Sequence, residues 1–294
     1  MNTTIQLAIN GVLMGGVYAL ISVGLTLSFG VMRIVNFAHG EFLMLAMFAS
    51  FWSFHLLGVD PYVTALVVIP MFFILGVVVQ RLIIQPILGV PAVVQIFATV
   101  GLSVLLQNLA LLLWSGDYRS VVVPYSSADF RLGEISISAP RLFAFGVAVL
   151  LGAALLIFLK WTFMGKAMRA IVQNRDAAVL LGINVKRLYA IAFGIGIALV
   201  GVAGAILTPI YQVFPTVGLN FVLAAFVVVI LGGLGSVVGA FTGGVIIGLV
   251  ESFSGFYVAP DLKEAIYYVI FVLILLIRPS GMFGILGSEQ LGGH

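Results

Sequence analysis

The stretch KWTFMGKAMRAIVQNRDAAVLLGINVKR, residues 160–187, carries seven charged residues in a chain that is 63% hydrophobic and only 8% charged. Five long apolar segments precede it and four follow it. A soluble domain is about 45–50% apolar with glycine counted, whereas this chain reaches 63% before its 34 glycines are added. No soluble core buries so much apolar surface, so the composition predicts an integral membrane protein whose spans are divided by this basic segment.

The apolar segments have the length of membrane-spanning helices, since a bilayer core about 30 Å thick needs roughly 20 helical residues. The N-terminal segment lacks a basic region before it and is too long for a signal peptide, so it is read as a retained first span. The sequence predicts an all-α polytopic fold of about 8–10 transmembrane helices in one domain, residues 1–294. The candidate spans are 5–31, 37–57, 62–84, 92–114, 141–161, 188–210, 221–234, 237–257 and 264–278.

The basic residues orient these spans, because Lys and Arg favour the cytoplasmic side. With the N-terminus outside and the C-terminus inside, nine basic residues fall inside and four outside. Residues 162–187 are then cytoplasmic, and residues 115–140 are extracytoplasmic with the alternation of a small hairpin or lid. The inner set is Arg33, Arg81, Lys160, Lys166, Arg169, Arg175, Lys186, Arg187 and Arg278, and the outer set is Arg119, Arg131, Arg141 and Lys263.

A weak internal similarity links GEFLMLAMFASF, which begins at Gly40, with GAFTGGVIIGLVESF, which begins at Gly239. Transporters often contain repeated halves, so an internal repeat is expected. The two segments run in the same direction in this orientation, so an inverted repeat would require the span count to be off by one.

The basic segment contains the signals of a two-turn helix. Asp176 is the predicted N-cap and Gly182 the predicted C-terminal stop. Ala177, Leu180 and Leu181 fall at helical spacing and form one small apolar patch. A helix this short is unstable alone, so it rests either on lipid headgroups or on another protein.

Four ordered stretches together resemble a known family: VNFAHGEFLMLAMF, GINVKRLYAIAFGIGIALVGVAGAI, VILGGLGSVVGAFTGGVIIGLVES and VLILLIRPSGMFG. They are similar to the permease subunit of the branched-chain amino-acid ABC importers of the inner membrane. The resemblance implies a homologous second permease subunit, two ATP-binding-cassette ATPase subunits and an extracytoplasmic solute-binding protein, working by alternating access. It also implies that the cytoplasmic loop couples to the ATPase through Arg175, Asp176, Ala177, Leu180, Leu181 and Gly182. Close relatives of the family import urea, amides or aromatic acids.

The sequence predicts no nucleotide-binding site in this chain. No G-x-x-x-x-G-K-[ST] occurs, and Gly165-Lys166 lacks the upstream glycine and the following hydroxyl. The resemblance therefore leaves ATP and Mg²⁺ to the partner ATPase, and this chain is expected to be non-catalytic, without cofactor or metal.

Other classes are less favoured by the sequence. An ion-coupled secondary transporter needs a mid-span acidic residue, and the spans show none that is convincing. An intramembrane enzyme is less favoured because the sequence contains no G-x-S-x-G nucleophile elbow, no intramembrane aspartate pair and no H-E-x-x-H motif. Nucleic acid is not expected as a partner, because no dense basic cluster is interleaved with aromatic residues.

Three polar residues, Asn36, His39 and Glu41, stand at the predicted start of the second span. Asn36 is suited to cap the helix, and Glu41 in the first turn suits the positive end of the helix dipole. A role in the translocation pathway or its gating is the alternative, because polar groups inside a membrane are costly and usually purposeful.

Polar residues also recur every four positions in the fourth span. Such a stripe either bonds a neighbouring helix or lines a wet passage. Glu251 is predicted to pair with Lys263 or Arg141 near the outer surface, or to act in an outer gate. The stripe consists of Gln95, Thr99, Ser103 and Gln107.

Seven glycines lie within residues 232–248. Small residues at four-residue spacing let helix backbones approach closely, which assigns helix packing to Gly239, Gly243, Gly244 and Gly248. Gly232, Gly233 and Gly235 are predicted to break the helix, and the family resemblance implies that this break faces the pathway or the partner permease.

Overall fold

In the computed structural model, residues 2–277 and 281–284 are described. Twelve helices and one two-stranded sheet follow one another in this part of the chain. The α-helices are α1 (Asn2–Met32), α2 (His39–Leu57), α3 (Pro61–Val79), α4 (Gln85–Ile87), α5 (Ala92–Trp114), α6 (Ala139–Trp161), α7 (Phe163–Gln173), α8 (Arg175–Leu180), α9 (Val185–Leu207), α10 (Val217–Gly232), α11 (Val237–Tyr257) and α12 (Lys263–Ile277). A π-helical turn (Gln80–Ile84) joins α3 to α4, and a 3-10 turn (Pro260–Leu262) precedes α12.

The all-α polytopic prediction is confirmed. Each predicted span overlaps one long α-helix, the third continuing into the π-helical turn, and in the described residues seven helices are long and apolar enough to cross a membrane. Helices α10 and α12 have 16 and 15 residues, and at 1.5 Å per residue they reach only about 22–24 Å. Arg278, which the sequence placed inside, lies outside the described residues.

The segment that the sequence predicts to be extracytoplasmic, residues 115–140 (the outer segment), contains the predicted hairpin. Strands β1 (Asp129–Leu132) and β2 (Ile135–Ser138) pair antiparallel, with Asp129 opposite Ser138. Gly133 takes φ +65° in the turn. The chain returns directly into α6, because β2 ends at the residue before that helix begins.

Helices α1 and α9 form the centre of the bundle. In each of the two helices, 89% of the residues in an apolar stretch of 18 residues are buried, whereas in α5 and α6 the share of buried residues in such a stretch is 22%. Helix α1 packs on α9 and α11 through facing glycines, and a Cβ placed on Gly244 would lie 2.6 Å from the Gly15 carbonyl oxygen. The backbones therefore touch, as small-residue spacing predicts.

The start of α2 differs from the sequence expectation. His39 Nε2 lies 3.1 Å from the carbonyl oxygen of Ile21, near the middle of α1. Ile21 precedes the end of α1 at Met32 by 11 residues, or about 16 Å of helix. The segment 33–38 therefore folds back along α1, and α2 begins inside the bundle.

Helix α10 begins at the same place. A Cβ on Gly40, in the first turn of α2, would lie 2.8 Å from Cβ of Val222 and 2.9 Å from the carbonyl carbon of Gly218 in the first turn of α10. Two helix N-termini thus cross in the interior, where only glycine allows so close an approach.

Candidate coupling and translocation sites

The loop that the sequence predicts to be cytoplasmic, residues 162–187 (the inner loop), contains two helices before α9. Thr162 caps α7, and its side chain accepts a hydrogen bond from the backbone N–H of Gly165 at 3.0 Å. Helix α8 follows after a single residue, Asn174. The predicted short helix is therefore present, although its cap is not the one expected.

Asn174, not Asp176, is the N-cap of α8. Its side-chain oxygen accepts from the backbone N–H of Ala177 at 2.9 Å, and Asp176 lies in the first turn. Both residue types are good caps, and the register is set by α7 ending at Gln173. Gly182 takes φ +79° after the helix, which is the conformation of a helix stop.

The surface of α8 is apolar and uncovered. Leu180 and Leu181 are 88% and 79% exposed, and Ala177 is also exposed. Ala178 is the buried residue that holds the helix to the protein. The three residues of the predicted patch thus point away from this chain. After the loop, Asn184 caps α9 by accepting a hydrogen bond from the backbone N–H of Arg187 at 3.0 Å.

The three polar residues near the start of α2 are fully buried. Asn36 Oδ1 accepts from the N–H of Ala38 at 3.1 Å, so it supports the loop before α2 and does not cap the helix. Glu41 lies in the first turn, as predicted. Because α2 begins inside the bundle, the Glu41 carboxylate is enclosed by the helices although it stands at the start of its own span.

The polar stripe of α5 meets this buried group. Ser103 Oγ and Gln107 Nε2 donate to Glu41 Oε1 at 3.0 and 2.7 Å. Thr99 Oγ1 donates to the carbonyl oxygen of Val35 at 3.2 Å. Gln95 instead donates to the carbonyl of Val90, before its own helix. In the conformation described, three of the four stripe residues bond the neighbouring segment.

The predicted break in the glycine-rich segment is present. Helix α10 ends at Gly232 and α11 begins at Val237. Gly233 and Gly235 take φ +100° and +87°, which side chains disfavour. A pathway role for these glycines stays a prediction.

The four packing glycines of α11 all lie against backbone. Gly239 and Gly243 approach α10, while Gly244 and Gly248 approach α1. A Cβ on Gly243 would lie 2.8 Å from the carbonyl oxygen of Val228, and one on Gly244 would lie 2.9 Å from the nitrogen of Ala19.

Glu251 bonds two side chains from different helices. Lys263 Nζ lies 2.7 Å from its Oε1, and the Tyr18 hydroxyl donates to its Oε2 at 2.6 Å. Lys263 is thus the partner rather than Arg141. Tyr18 could not be found from the sequence, because it precedes Glu251 by 233 residues.

The outer segment is fastened by contacts that the sequence did not indicate. The Tyr125 hydroxyl lies 2.8 Å from both carboxylate oxygens of Asp60, the N-cap of α3. Burial, followed by the hydrogen bond to Asp60, raises the pKa of the Tyr125 phenol. The Arg119 guanidinium lies 5.6–5.9 Å from the ring centres of three aromatic residues in α2, which are Phe48, Phe51 and Trp52.

Metal chemistry has no support in the described ranges, 2–277 and 281–284. They contain no group of three or more His, Cys, Asp or Glu residues arranged to hold a metal ion.

The helices and the two sites define a class of protein: a multi-pass membrane permease with an exposed apolar helix on the loop between α6 and α9 and polar side chains buried among its spans. Residues 7–275 match the family described as "Branched-chain amino acid transport system / permease component". The chain belongs to this family, and it is a permease component of a membrane transport system.

Individual relatives match along most of their length. The chain is 32% identical to the high-affinity branched-chain amino acid transport system permease protein LivH of Escherichia coli K12, over 95% of each chain. It is 31% identical to the corresponding protein BraD of Pseudomonas aeruginosa, again over 95% of each. A probable LivH of Methanocaldococcus jannaschii is 28% identical, over 90% of this chain and 88% of the relative. No solved structure matches the chain.

Proposed function

We propose that this chain forms part of the membrane pathway of an ABC importer for branched-chain amino acids or related small polar or amide solutes. The whole-length similarity to branched-chain amino acid permeases carries this proposal. The exposed apolar surface of α8 supports it, because an importer of this class needs a docking point for a separate ATPase.

The energy source is assigned to partner subunits. The sequence contains no phosphate-binding loop, so ATP and Mg²⁺ belong on two ATPase subunits. A second, homologous permease completes the pathway, and a solute-binding protein delivers the amino acid from outside. The assembly lies in the inner membrane with the N-terminus of this chain outside and its C-terminus inside.

The coupling loop is short enough to transmit movement. Three residues, 182–184, separate Leu181 from α9. Helix α9 is a buried central helix that packs on α1, α2 and α3. A displacement of α8 by the closing ATPase therefore acts directly on the centre of the bundle, which is the movement that alternating access requires.

The test has two steps. The tagged chain is first purified from its native membrane together with its partners, and the isolated chain is then assayed for ATP hydrolysis. We expect ATPase subunits to co-purify, and ATP hydrolysis to disappear when the chain is isolated rigorously. Hydrolysis by the single chain, or amino-acid uptake by proteoliposomes that contain this chain without an ATPase, would contradict the proposal.

A further inference from the structure

Three polar side chains in one short segment are buried and incompletely bonded. Asn36, His39 and Glu41 are each 0% exposed. Among the described residues, Asn36 Nδ2, His39 Nδ1 and Glu41 Oε2 have no hydrogen-bond partner. Unpartnered polar groups are expensive inside a membrane, so three of them within six residues call for a ligand.

The charge environment suits a molecule that carries both signs. The first turns of α2 and α10 cross at Gly40 and Gly218, and the N-terminal end of a helix favours an anion. Glu41, in the first turn of α2, places a carboxylate beside these two ends. Transporters place substrate sites where interrupted helices meet near the middle of the bilayer.

Helix α5 covers this group and is loosely held. Only 22% of the residues in its apolar stretch of 18 residues are buried. Ser103 and Gln107 donate to Oε1 of Glu41, and Oε2 remains unpartnered. Separation of α5 from α2 therefore uncovers Glu41 without unfolding the central helices.

We propose that this crossing is an intramembrane binding site for a zwitterionic amino acid. Glu41 binds the ammonium group, and the N–H groups of Gly40 and Gly218 bind the carboxylate, because the neighbouring first-turn N–H groups of His39, Glu41, Val217 and Leu219 already donate to backbone carbonyls. The inference rests on the proposed function and names the part of the substrate that the permease itself recognises. In the conformation described, α5 closes the site.

The experiment uses the assembled transporter, with its ATPase subunits, in nanodiscs. The probes are radiolabelled leucine and 4-methylpentanoate, which has the same carbon skeleton without the amino group. In the wild type, we expect leucine to bind at least tenfold more tightly. Glu41→Gln should weaken leucine binding at least tenfold and change 4-methylpentanoate binding less than twofold.

Two variants control for a structural effect. Glu264→Gln makes the same change in the first turn of α12, at an exposed position, and should alter neither affinity. Glu41→Asp keeps the carboxylate and should keep the preference for leucine, and it decides the question if Glu41→Gln fails to assemble with the ATPase.

Several results would overturn the inference. One is an equal loss of both ligands in an assembled Glu41→Gln variant, which would make Glu41 only a clasp for α5. Others are unchanged leucine binding in that variant, an assembled Glu41→Asp that has lost the preference, absence of leucine binding in the wild type, or leucine binding that requires Na⁺. Failure of wild-type proteoliposomes to import amino acid when both ATP and the solute-binding protein are supplied would instead refute the proposed function.

Discussion

Replacement of both Leu180 and Leu181 by Asp separates the fold of the membrane part from its connection to the ATPase. The two side chains are 88% and 79% exposed, so their contacts within this chain are few. Changes at such positions usually alter stability by no more than about 0.5 kcal/mol. We therefore expect normal insertion and normal abundance.

Docking should respond far more strongly. Burial of one leucine contributes about 1.5–3 kcal/mol, so two buried leucines contribute about 3–6 kcal/mol. Carboxylates in the same contact add a desolvation cost. Because each 1.4 kcal/mol is about tenfold in affinity, the double variant should bind its ATPase about a hundredfold more weakly or worse.

The assay is co-purification of the ATPase together with ATP-dependent uptake in proteoliposomes. Val122→Asp is the matched control, because Val122 is 79% exposed in the segment before α6, at the end of that helix opposite the loop that contains α8, and it should retain the ATPase. A double variant that keeps both its ATPase and its wild-type uptake rate would refute α8 as the docking surface.

Two other predictions concern packing and the outer segment. Gly244→Leu should lower the unfolding midpoint in detergent, because overpacking costs about 1–3 kcal/mol and a Cβ there would lie 2.6 Å from the Gly15 carbonyl oxygen. Gly101→Leu, where a Cβ would meet nothing within 4 Å, should change the midpoint little, and equal midpoints would contradict close packing at α1. Tyr125→Phe removes a hydrogen bond to a carboxylate worth about 1.5–3 kcal/mol, so protease cleavage of the outer segment should rise about tenfold or more, and an unchanged cleavage rate would contradict the proposed fastening. Since the Tyr125 pKa is raised in the fold, its contribution is complete below the unfolded pKa of about 10 and should fall as pH rises beyond it, in the wild type but not in Tyr125→Phe.

The spans were predictable because each rests on local composition. Apolar runs of about 20 residues, with Pro, Gly and charge between them, located all nine long segments, and the alternation within residues 115–140 located the hairpin. The cap of α8 was missed by two residues, since Asn174 and Asp176 are equally good caps and the choice depends on where α7 ends.

The depth of α2 was not predictable in the same way. It depends on contacts between distant residues, His39 with Ile21 and Gly40 with Gly218. Local rules correctly placed Glu41 in the first turn of a helix, yet gave no sign that this turn lies inside the bundle. The partner of Ser103 was hidden for the same reason, because Glu41 precedes it by 62 residues.

The backbone pairing of Arg119 with Val213 links the outer segment to the start of α10. The two backbones exchange hydrogen bonds of 3.0 and 2.7 Å, and Tyr118 packs on Phe214 beside them. These contacts join the outer segment to the linker between α9 and α10, so the two segments are expected to move together. Since Val213 lies four residues before α10, a displacement of residues 115–140 is transmitted to the first turn of α10 through the backbone alone.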